Sequence, residues 1–290
     1  MIYKRQKILL NILSQKESKV SKIKLMKWIF LLFQETEISD IVRFYEFVPY
    51  DFGPFSFSAY RDILELQREG LINQDEKSIW YEKGRIEKKL IELPKNILNS
   101  VSKVLNKYGD LSQTQLLEYI YKKYPWYAKS SKFPHNTSTI KSINPIAIYT
   151  LGYESFTIDG FLNFILFKGL RAIVDVRNNA MSRKYGFSKK SLLRLCNRLN
   201  IKYFHFPKLG IPSSYRANIH SFTELDYTNL WDLYEKEILD LSKAKKEKLI
   251  GIIKNQPSSI FCYEKDPVKC HRNRLSSILS KETGLEIIHL

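Results

Sequence analysis

The second half of this chain alternates short apolar runs with helical patterns, and this alternation restricts the fold more than any other feature of the sequence. Five runs have the length and composition of buried strands, at residues 146–152, 170–176, 201–206, 258–262 and 285–290. Apolar strands joined by helical crossovers form a mainly parallel sheet that helices cover on both faces. We therefore predict an α/β domain with a doubly wound, mostly parallel five-stranded sheet, flavodoxin-like or Rossmann-like.

The first half has a different pattern, in which helical periodicity dominates. Periodic segments at residues 21–33 and 58–69 precede two strand-like runs around a polar turn, at residues 71–73 and 78–81. Helices followed by a small hairpin are the layout of a winged helix. A stretch rich in Ser, Thr and Pro then separates the two halves. The predicted organisation is a mainly helical, winged-helix-like domain at residues 1–130, a linker at 131–145 and the α/β domain at 146–290.

The segment at residues 58–69 takes the position of a recognition helix, but its charge is balanced. Arg61 and Arg68 are accompanied by Asp62, Glu65 and Glu69. Such a balance is poor for phosphate contact, so we do not expect this helix to read a DNA sequence. A winged helix that serves packing or forms a homodimer is the alternative.

The whole chain carries a large excess of positive charge. It has 47 Lys and Arg residues against 30 Asp and Glu residues, a formal net charge of +17. This excess favours a polyanionic partner, with DNA or another nucleic acid first, and a Lys-rich background composition is the alternative. The longest apolar run, residues 28–33, is far too short to span a bilayer. Since the N-terminus also has no secretory signal pattern, we predict a cytoplasmic protein without a membrane partner.

Polar and ionisable residues follow the predicted strands, where open α/β sheets bind ligands. The candidates are Gly152, Tyr153, Asp175, Arg177, Ser182, Arg183, His205, Glu264, Cys270, His271 and Arg272. The opposite ends of the strands show little of this kind. The asymmetry predicts an active or binding site at the carboxyl edge of the sheet.

These residues also carry a family resemblance. The motifs are Thr150-Leu151-Gly152-Tyr153, Val174-Asp175-Val176-Arg177 with Ser182-Arg183, Tyr203-Phe204-His205 with Leu209-Gly210, and Cys262-Tyr263-Glu264 with Cys270-His271-Arg272. Together they resemble the DUF488 family over about residues 146–290, and the first half is similar to the winged-helix extension of some longer members. Ile211 departs from the pattern, since many members have a further Gly there. The resemblance implies the fold and the site, and leaves the reaction open.

Two carboxyl groups and three arginines suggest acid–base chemistry on an anionic substrate. Asp175 and Glu264 could divide the roles of acid and base, while Arg177, Arg183 and Arg272 could bind a phosphate, helped by Ser182, His271, Gly152 and Tyr153. The alternative for Asp175 and Arg177 is a structural ion pair. His205 is either a further catalytic residue or a core residue.

Cys270 offers a second chemistry, because it stands at the predicted start of a helix beside His271 and Arg272. These neighbours predict a lowered thiol pKa and a nucleophile, and a buried cap residue is the alternative. Zinc at Cys262, Cys270 and His271 is not expected, because the spacing matches no standard pattern and the adjacent Cys270 and His271 should point apart. We predict no metal and no cofactor.

The combined prediction is a nucleic-acid-associated enzyme. It would be a hydrolase or transferase that acts on a nucleotide or on a DNA base or phosphate through carboxylate or thiol chemistry. The alternative is a non-enzymatic DNA-binding regulator whose α/β domain senses a small anionic ligand.

Overall fold

The computed structural model describes residues 2–16, 18–81, 92–133, 145–216 and 224–290. Contacts divide the chain into two compact units, Met1–Ile140 and Lys141–Leu290. The predicted linker at 131–145 spans this division, and its residues 134–144 lie outside the described residues. In the parts of the chain that the structure describes, no helix combines the length and apolarity needed to cross a membrane.

Unit 1 is mainly helical, with short strands between its helices. Its helices are α1 (Lys4–Ser14), α2 (Lys22–Glu35), α3 (Ile38–Ile41), α4 (Phe57–Arg68), α5 (Lys95–Tyr108), α6 (Gln113–Lys123) and α7 (Pro125–Ala128). Its strands are β1 (Val20–Ser21), β2 (Val48–Tyr50), β3 (Gly53–Phe55), β4 (Ile72–Gln74) and β5 (Ser78–Tyr81). The predicted helices at 21–33 and 58–69 and the two strands after them are present with shifted ends.

The core of unit 1 surrounds α2, whose residues 25–32 are all buried. All of these residues except Lys27, whose ammonium group donates to the carbonyl oxygen of Pro54, are apolar, so this part of the helix lies at the centre of its unit. Helix α5, which our sequence analysis missed, packs against α2 with a stripe of buried residues that includes Val101 and Val104. Strand β1, at the predicted helix start, pairs with β5, so that the small sheet has the order β1-β5-β4.

Unit 2 contains a five-stranded sheet in which every neighbouring pair is parallel. Its strands are β6 (Ile148–Gly152), β7 (Ala172–Asp175), β8 (Lys202–His205), β9 (Ser258–Cys262) and β10 (Ile287–His289). Its main helices are α8 (Ile158–Phe167), α9 (Lys189–Arg198), α10 (Glu224–Leu233), α11 (Lys243–Asn255) and α12 (His271–Thr283). The α/β class and the five strands are confirmed.

The strands of this sheet run in the order β10-β6-β9-β7-β8. That order differs from both the Rossmann order and the flavodoxin-like order. The central strand β9 lies between β6 and β7, with Cys262 opposite Gly152 and Phe261 opposite Asp175. Three of the predicted motifs therefore end side by side at one edge of the sheet.

Candidate functional site

A cavity of about 460 Å³ opens where β6, β7 and β9 end. Sequence analysis predicted five of the residues that line it: Tyr153, Arg177, Ser182, Glu264 and His271. The others are Asn178, Asn179, Met181, Ile211, Ser213, Cys262 and Tyr263. Asn178 and Asn179 were missed, although they directly follow Arg177 at a strand end, which was the signal used for its neighbours.

Asp175 and Arg177 form a buried ion pair beside this cavity. The guanidinium group donates to both carboxylate oxygens, over 2.9 Å from Nε to Oδ1 and 2.6 Å from Nη2 to Oδ2. Tyr203 adds a third side-chain donor, with its hydroxyl 2.6 Å from Oδ2. Asp175 is fully buried and does not line the cavity. This geometry corresponds to the structural alternative, and it does not bring Asp175 together with Glu264 as an acid–base pair.

The ion pair shifts the pKa values of Arg177 and Tyr203. Burial alone would lower the pKa of Arg177, but the hydrogen bonds and charge of Asp175 raise it above its ordinary value. Burial, together with the same carboxylate, raises the pKa of Tyr203. Both groups therefore keep their protons at any ordinary pH, and Arg177 stays a fixed positive charge at the cavity wall.

Tyr153 connects the ion pair to the cavity. Its hydroxyl accepts a hydrogen bond from Arg177 Nη1 at 2.9 Å and donates to Ser182 Oγ at 3.3 Å. Its ring is stacked on Phe187 and Phe261, with centroids 4.3 and 4.9 Å apart. Stacking on both partners fixes the ring. Tyr153 is therefore a rigid wall residue that places one hydroxyl at the cavity.

The loop after β9 is held by backbone contacts, and these account for Gly152 and Arg272. A β-carbon at position 152 would lie 1.7 Å from the carbonyl oxygen of Glu264. The buried Arg272 donates to that same oxygen and, over 2.9 Å, to the carbonyl oxygen of Lys265. The backbone N–H of Lys265 also donates to Glu154 Oε2 at 2.9 Å. Gly152 and Arg272 thus position the Glu264 loop, in place of the anion contacts that the sequence suggested.

The cysteine that lines the cavity is Cys262, at the end of β9. Its thiol donates to Glu264 Oε2 at 3.3 Å, and its sulfur lies 3.8 Å from Nδ1 of His271. Sequence analysis quoted Cys262 in the family motif and rejected it as a zinc ligand, and it gave this cysteine no catalytic role. The structure makes it the thiol that faces the site.

Cys270 is the buried N-cap residue of α12 and does not line the cavity. Burial and the adjacent Cys262 raise its pKa well above the ordinary value for a thiol. The expected lowering of this pKa is therefore wrong, because loss of solvent outweighs the favourable effect of the helix start. Its side chain also makes no capping hydrogen bond.

His271 is brought together with both cysteines. The sulfur atoms of Cys262 and Cys270 and a ring nitrogen of His271 all lie within 4.8 Å of one another. The prediction that Cys270 and His271 point apart is wrong, because Cys270 has an extended backbone while His271 begins the helix. The other ring nitrogen of His271, Nε2, lies 3.2 Å from the carbonyl oxygen of Val176. A carbonyl oxygen only accepts, so Nε2 carries a proton, and in the neutral imidazole Nδ1 is then the nitrogen whose lone pair faces the thiols.

Two predicted site residues lie elsewhere. His205 donates from Nε2 to the carbonyl oxygen of Arg177 at 2.9 Å, and it lines a separate cavity of about 250 Å³ together with Lys208, Lys245 and Lys248. Arg183 is exposed and does not line the main cavity. The catalytic role for His205 and the anion-binding role for Arg183 at the main site have no support from this geometry.

The model of one protein family, described as domain of unknown function DUF488, matches residues 157–279. The match begins in the segment before α8 and ends within α12, so it includes Arg177, Cys262, Glu264 and His271. No curated protein and no solved structure matched the chain.

Proposed function

We propose that the chain, whose residues 157–279 match the DUF488 family model, is a nucleic-acid-associated enzyme that acts on a nucleotide or nucleic acid in the cavity at the strand ends. One observation carries the proposal. The carboxylate of Glu264 and the thiol of Cys262 lie 3.3 Å apart on the wall of a cavity that His271 also lines. A carboxylate, a thiol and an imidazole that converge on one cavity are the groups that acid–base and nucleophilic chemistry require.

The remaining walls suit a polar substrate. The guanidinium group of Arg177 is paired with Asp175 and adds no net charge to the wall, while Asn178, Asn179 and Ser182 contribute amide and hydroxyl groups. Pockets of roughly 300–1,000 Å³ accommodate ligands of nucleotide size, and this one falls in that range. Glu264 is the acid or base in this proposal, and the reaction is hydrolysis or transfer at a glycosidic or phosphoester bond.

Unit 1 supports the association with nucleic acid. Its elements α1, β1, α2, α4, β4 and β5 follow the order of a winged helix, and β1 closes the small sheet against β5. Two of the acidic residues of α4 are paired: Asp62 with Arg5 at 2.6 Å and Glu65 with Arg61 at 2.8 Å. Each pair also uses the charge of an arginine, Arg5 or Arg61, so α4 itself presents no excess of positive charge and the support comes from the order of the elements. The net charge of +17 favours the same partner.

The test uses the full-length chain with single-stranded, duplex and base-modified DNA and with free nucleotides, at two salt concentrations. Binding is measured first, and the products are then analysed by mass spectrometry. We expect affinity that falls steeply with salt and a mass change in one substrate that Glu264→Gln abolishes. Glu247→Gln, which changes an exposed carboxyl group on α11, is the matched control and should keep full turnover. Binding without any mass change would contradict the enzyme and favour the regulator.

A further inference from the structure

The two cysteines and the histidine beside the cavity form a group that the chemistry proposed above does not fully use. Cys262, Cys270 and His271 are all buried, and one side-chain sulfur or nitrogen atom of each lies within 4.8 Å of the others. We propose that these three side chains bind one Zn²⁺ ion at the edge of the cavity. The catalytic role of the ion rests on the proposed function, whereas the metal site itself is inferred from the geometry.

The distances suit zinc. Thiolate sulfur binds zinc at about 2.3 Å and imidazole nitrogen at about 2.0–2.1 Å, which places such ligands about 3.6 Å apart in a tetrahedral site. Cys262 Sγ and His271 Nδ1 lie 3.8 Å apart. Only small side-chain rotations are needed to close around an ion. Two thiolates and a neutral imidazole are also the donor types that favour zinc over magnesium or calcium.

The orientation of His271 is that of a metal ligand. Its Nε2–H donates to the carbonyl oxygen of Val176, 3.2 Å away, so that Nδ1 directs its lone pair towards the thiols. Metal-binding histidines characteristically donate their second ring N–H to a carbonyl or carboxylate, which fixes the ring and the tautomer. The edge of the Tyr234 ring packs against the imidazole and limits its movement further.

The ligands are held by regular elements. Cys262 ends β9, and Cys270 and His271 stand at the start of α12. The helix start supplies positive potential to thiolates, and a divalent cation balances two of them completely. In the absence of a cation, two adjacent buried thiols gain nothing from their position, because charging either one is costly. The sequence shows no standard zinc spacing because the ligands stand on two separate elements, β9 and α12, which only the fold brings together.

A zinc ion here would face the cavity. Cys262 and His271 line it, while Cys270 lies behind them. Glu264 Oε2 is 3.3 Å from Cys262 Sγ and lines the same cavity. Three protein ligands with an open fourth position are the arrangement of catalytic zinc, which activates a bound water. In that case Glu264 is the base beside the water, and the cysteines are ligands and not nucleophiles.

The test starts from full-length protein that has been stripped of metal and kept reduced. Zn²⁺ is titrated in competition with a chromogenic chelator, and Co²⁺ serves as a spectroscopic probe. We expect one equivalent of Zn²⁺ with a dissociation constant below about 1 µM. The Co²⁺ complex should show the visible bands of a tetrahedral site and a sulfur-to-cobalt charge-transfer band. Zn²⁺ should also protect Cys262 and Cys270 of the unmodified chain from alkylation, as read by peptide mass.

Variants identify the ligands. Cys262→Ser and Cys270→Ser should each weaken Zn²⁺ binding by at least about 100-fold, more than loss of an outer-shell partner usually costs. Cys196→Ser is the matched control, since this third cysteine is buried in α9 outside the cluster, and it should bind as the parent does. Circular dichroism shows whether each variant is folded. The alkylation result needs no variant and holds even where a substitution unfolds the unit.

A dissociation constant for Zn²⁺ above about 1 µM, or Zn²⁺ binding by Cys262→Ser or Cys270→Ser that matches the parent, would overturn the site. Zinc binding is measured without nucleic acid, so the zinc site and the nucleic-acid enzyme are tested independently of each other. Turnover by protein that binds no zinc overturns the zinc site alone. Zinc binding with no turnover on any substrate supports the site and overturns the enzyme proposal.

Discussion

Gly152 and Glu264 approach so closely that no side chain fits between their backbones. A β-carbon at position 152 would lie 1.7 Å from the carbonyl oxygen of Glu264 and 2.5 Å from its carbonyl carbon. Backbone atoms cannot move aside as the end of a flexible side chain can. The carboxylate that faces the cavity therefore depends on a glycine in the neighbouring strand.

Gly152→Ala should displace the Glu264 loop and abolish turnover, with a clear fall in melting temperature. Gly251→Ala is the control, because a β-carbon at this exposed position of α11 meets nothing within 4 Å. Alanine is favoured over glycine in a helix by roughly 0.5–1 kcal/mol, so the control should be slightly stabilised. Thermal unfolding and turnover are measured on both proteins. Full activity of Gly152→Ala would contradict the positioning role of Gly152.

Arg272→Lys should also loosen the Glu264 loop, which Arg272 holds by two hydrogen bonds. Arg272 donates to the carbonyl oxygens of Glu264 and Lys265, and a single ammonium group cannot reproduce this planar pair of contacts. We expect a loss of about 1–3 kcal/mol in the free energy of unfolding and a marked loss of activity. Arg274→Lys, on the exposed side of α12, should change neither by a measurable amount. Equal free energies of unfolding for Arg272→Lys and Arg274→Lys in denaturant titrations would contradict the role of Arg272 in holding the loop.

Asp175→Asn should lower the free energy of unfolding and should not selectively reduce kcat. The substitution leaves the buried guanidinium of Arg177 without its counter-charge, and breaking a buried pair in this way costs about 3–5 kcal/mol. Tyr203→Phe removes one donor to the same carboxylate and should cost less. Asp240→Asn, at an exposed position, is the control. A stable Asp175→Asn protein with selectively reduced kcat would instead restore Asp175 as a catalytic residue.

Glu35 gives unit 1 a predictable response to acid. Burial alone would raise its pKa, but hydrogen bonds from Tyr108, Lys123 and other neighbours lower it from 4.5 to about 2. A lowered carboxyl pKa in the folded state stabilises the protein above the unfolded value, and this stability is lost as pH falls from 4.5 towards 2. The contribution amounts to about 3 kcal/mol at most.

Denaturant titrations of the parent and of Glu35→Gln between pH 2 and pH 6 measure this contribution. Their difference in unfolding free energy should be largest near pH 6 and should shrink below pH 4.5. Glu37→Gln, an exposed neighbour, should follow the parent at every pH. A difference that does not change with pH would show that Glu35 acts through packing alone.

The sequence predicted the elements of unit 2 well, because each has a local signal. Strand β9 was predicted with the same bounds that the structure shows, from an apolar run. The order of the strands has no local signal, since it depends on which strands pair across long crossovers. In unit 1, α5 was missed even though its buried residues recur at helical spacing.

The candidate site was predicted in part for the same reason. Residues that follow strands, such as Tyr153 and Glu264, were found from their position alone. Cys262, which lines the cavity, was given no site role because a thiol at the end of an apolar strand cannot be distinguished by pattern from a core residue. The convergence of Cys270 and His271 depends on side-chain directions at one helix start, which spacing does not encode. Sequence analysis therefore located the edge of the sheet but not the arrangement of its thiols.

The most direct test of the account is a single-turnover comparison of Glu264→Gln with Glu247→Gln on the best substrate from the nucleic-acid panel. We expect Glu264→Gln to bind that substrate about as tightly as the parent while its rate falls by about 10²–10⁴-fold, the range typical for loss of an acid–base group. Glu247→Gln should match the parent in both affinity and rate. An unchanged rate in Glu264→Gln would contradict the central claim that this cavity is the catalytic site.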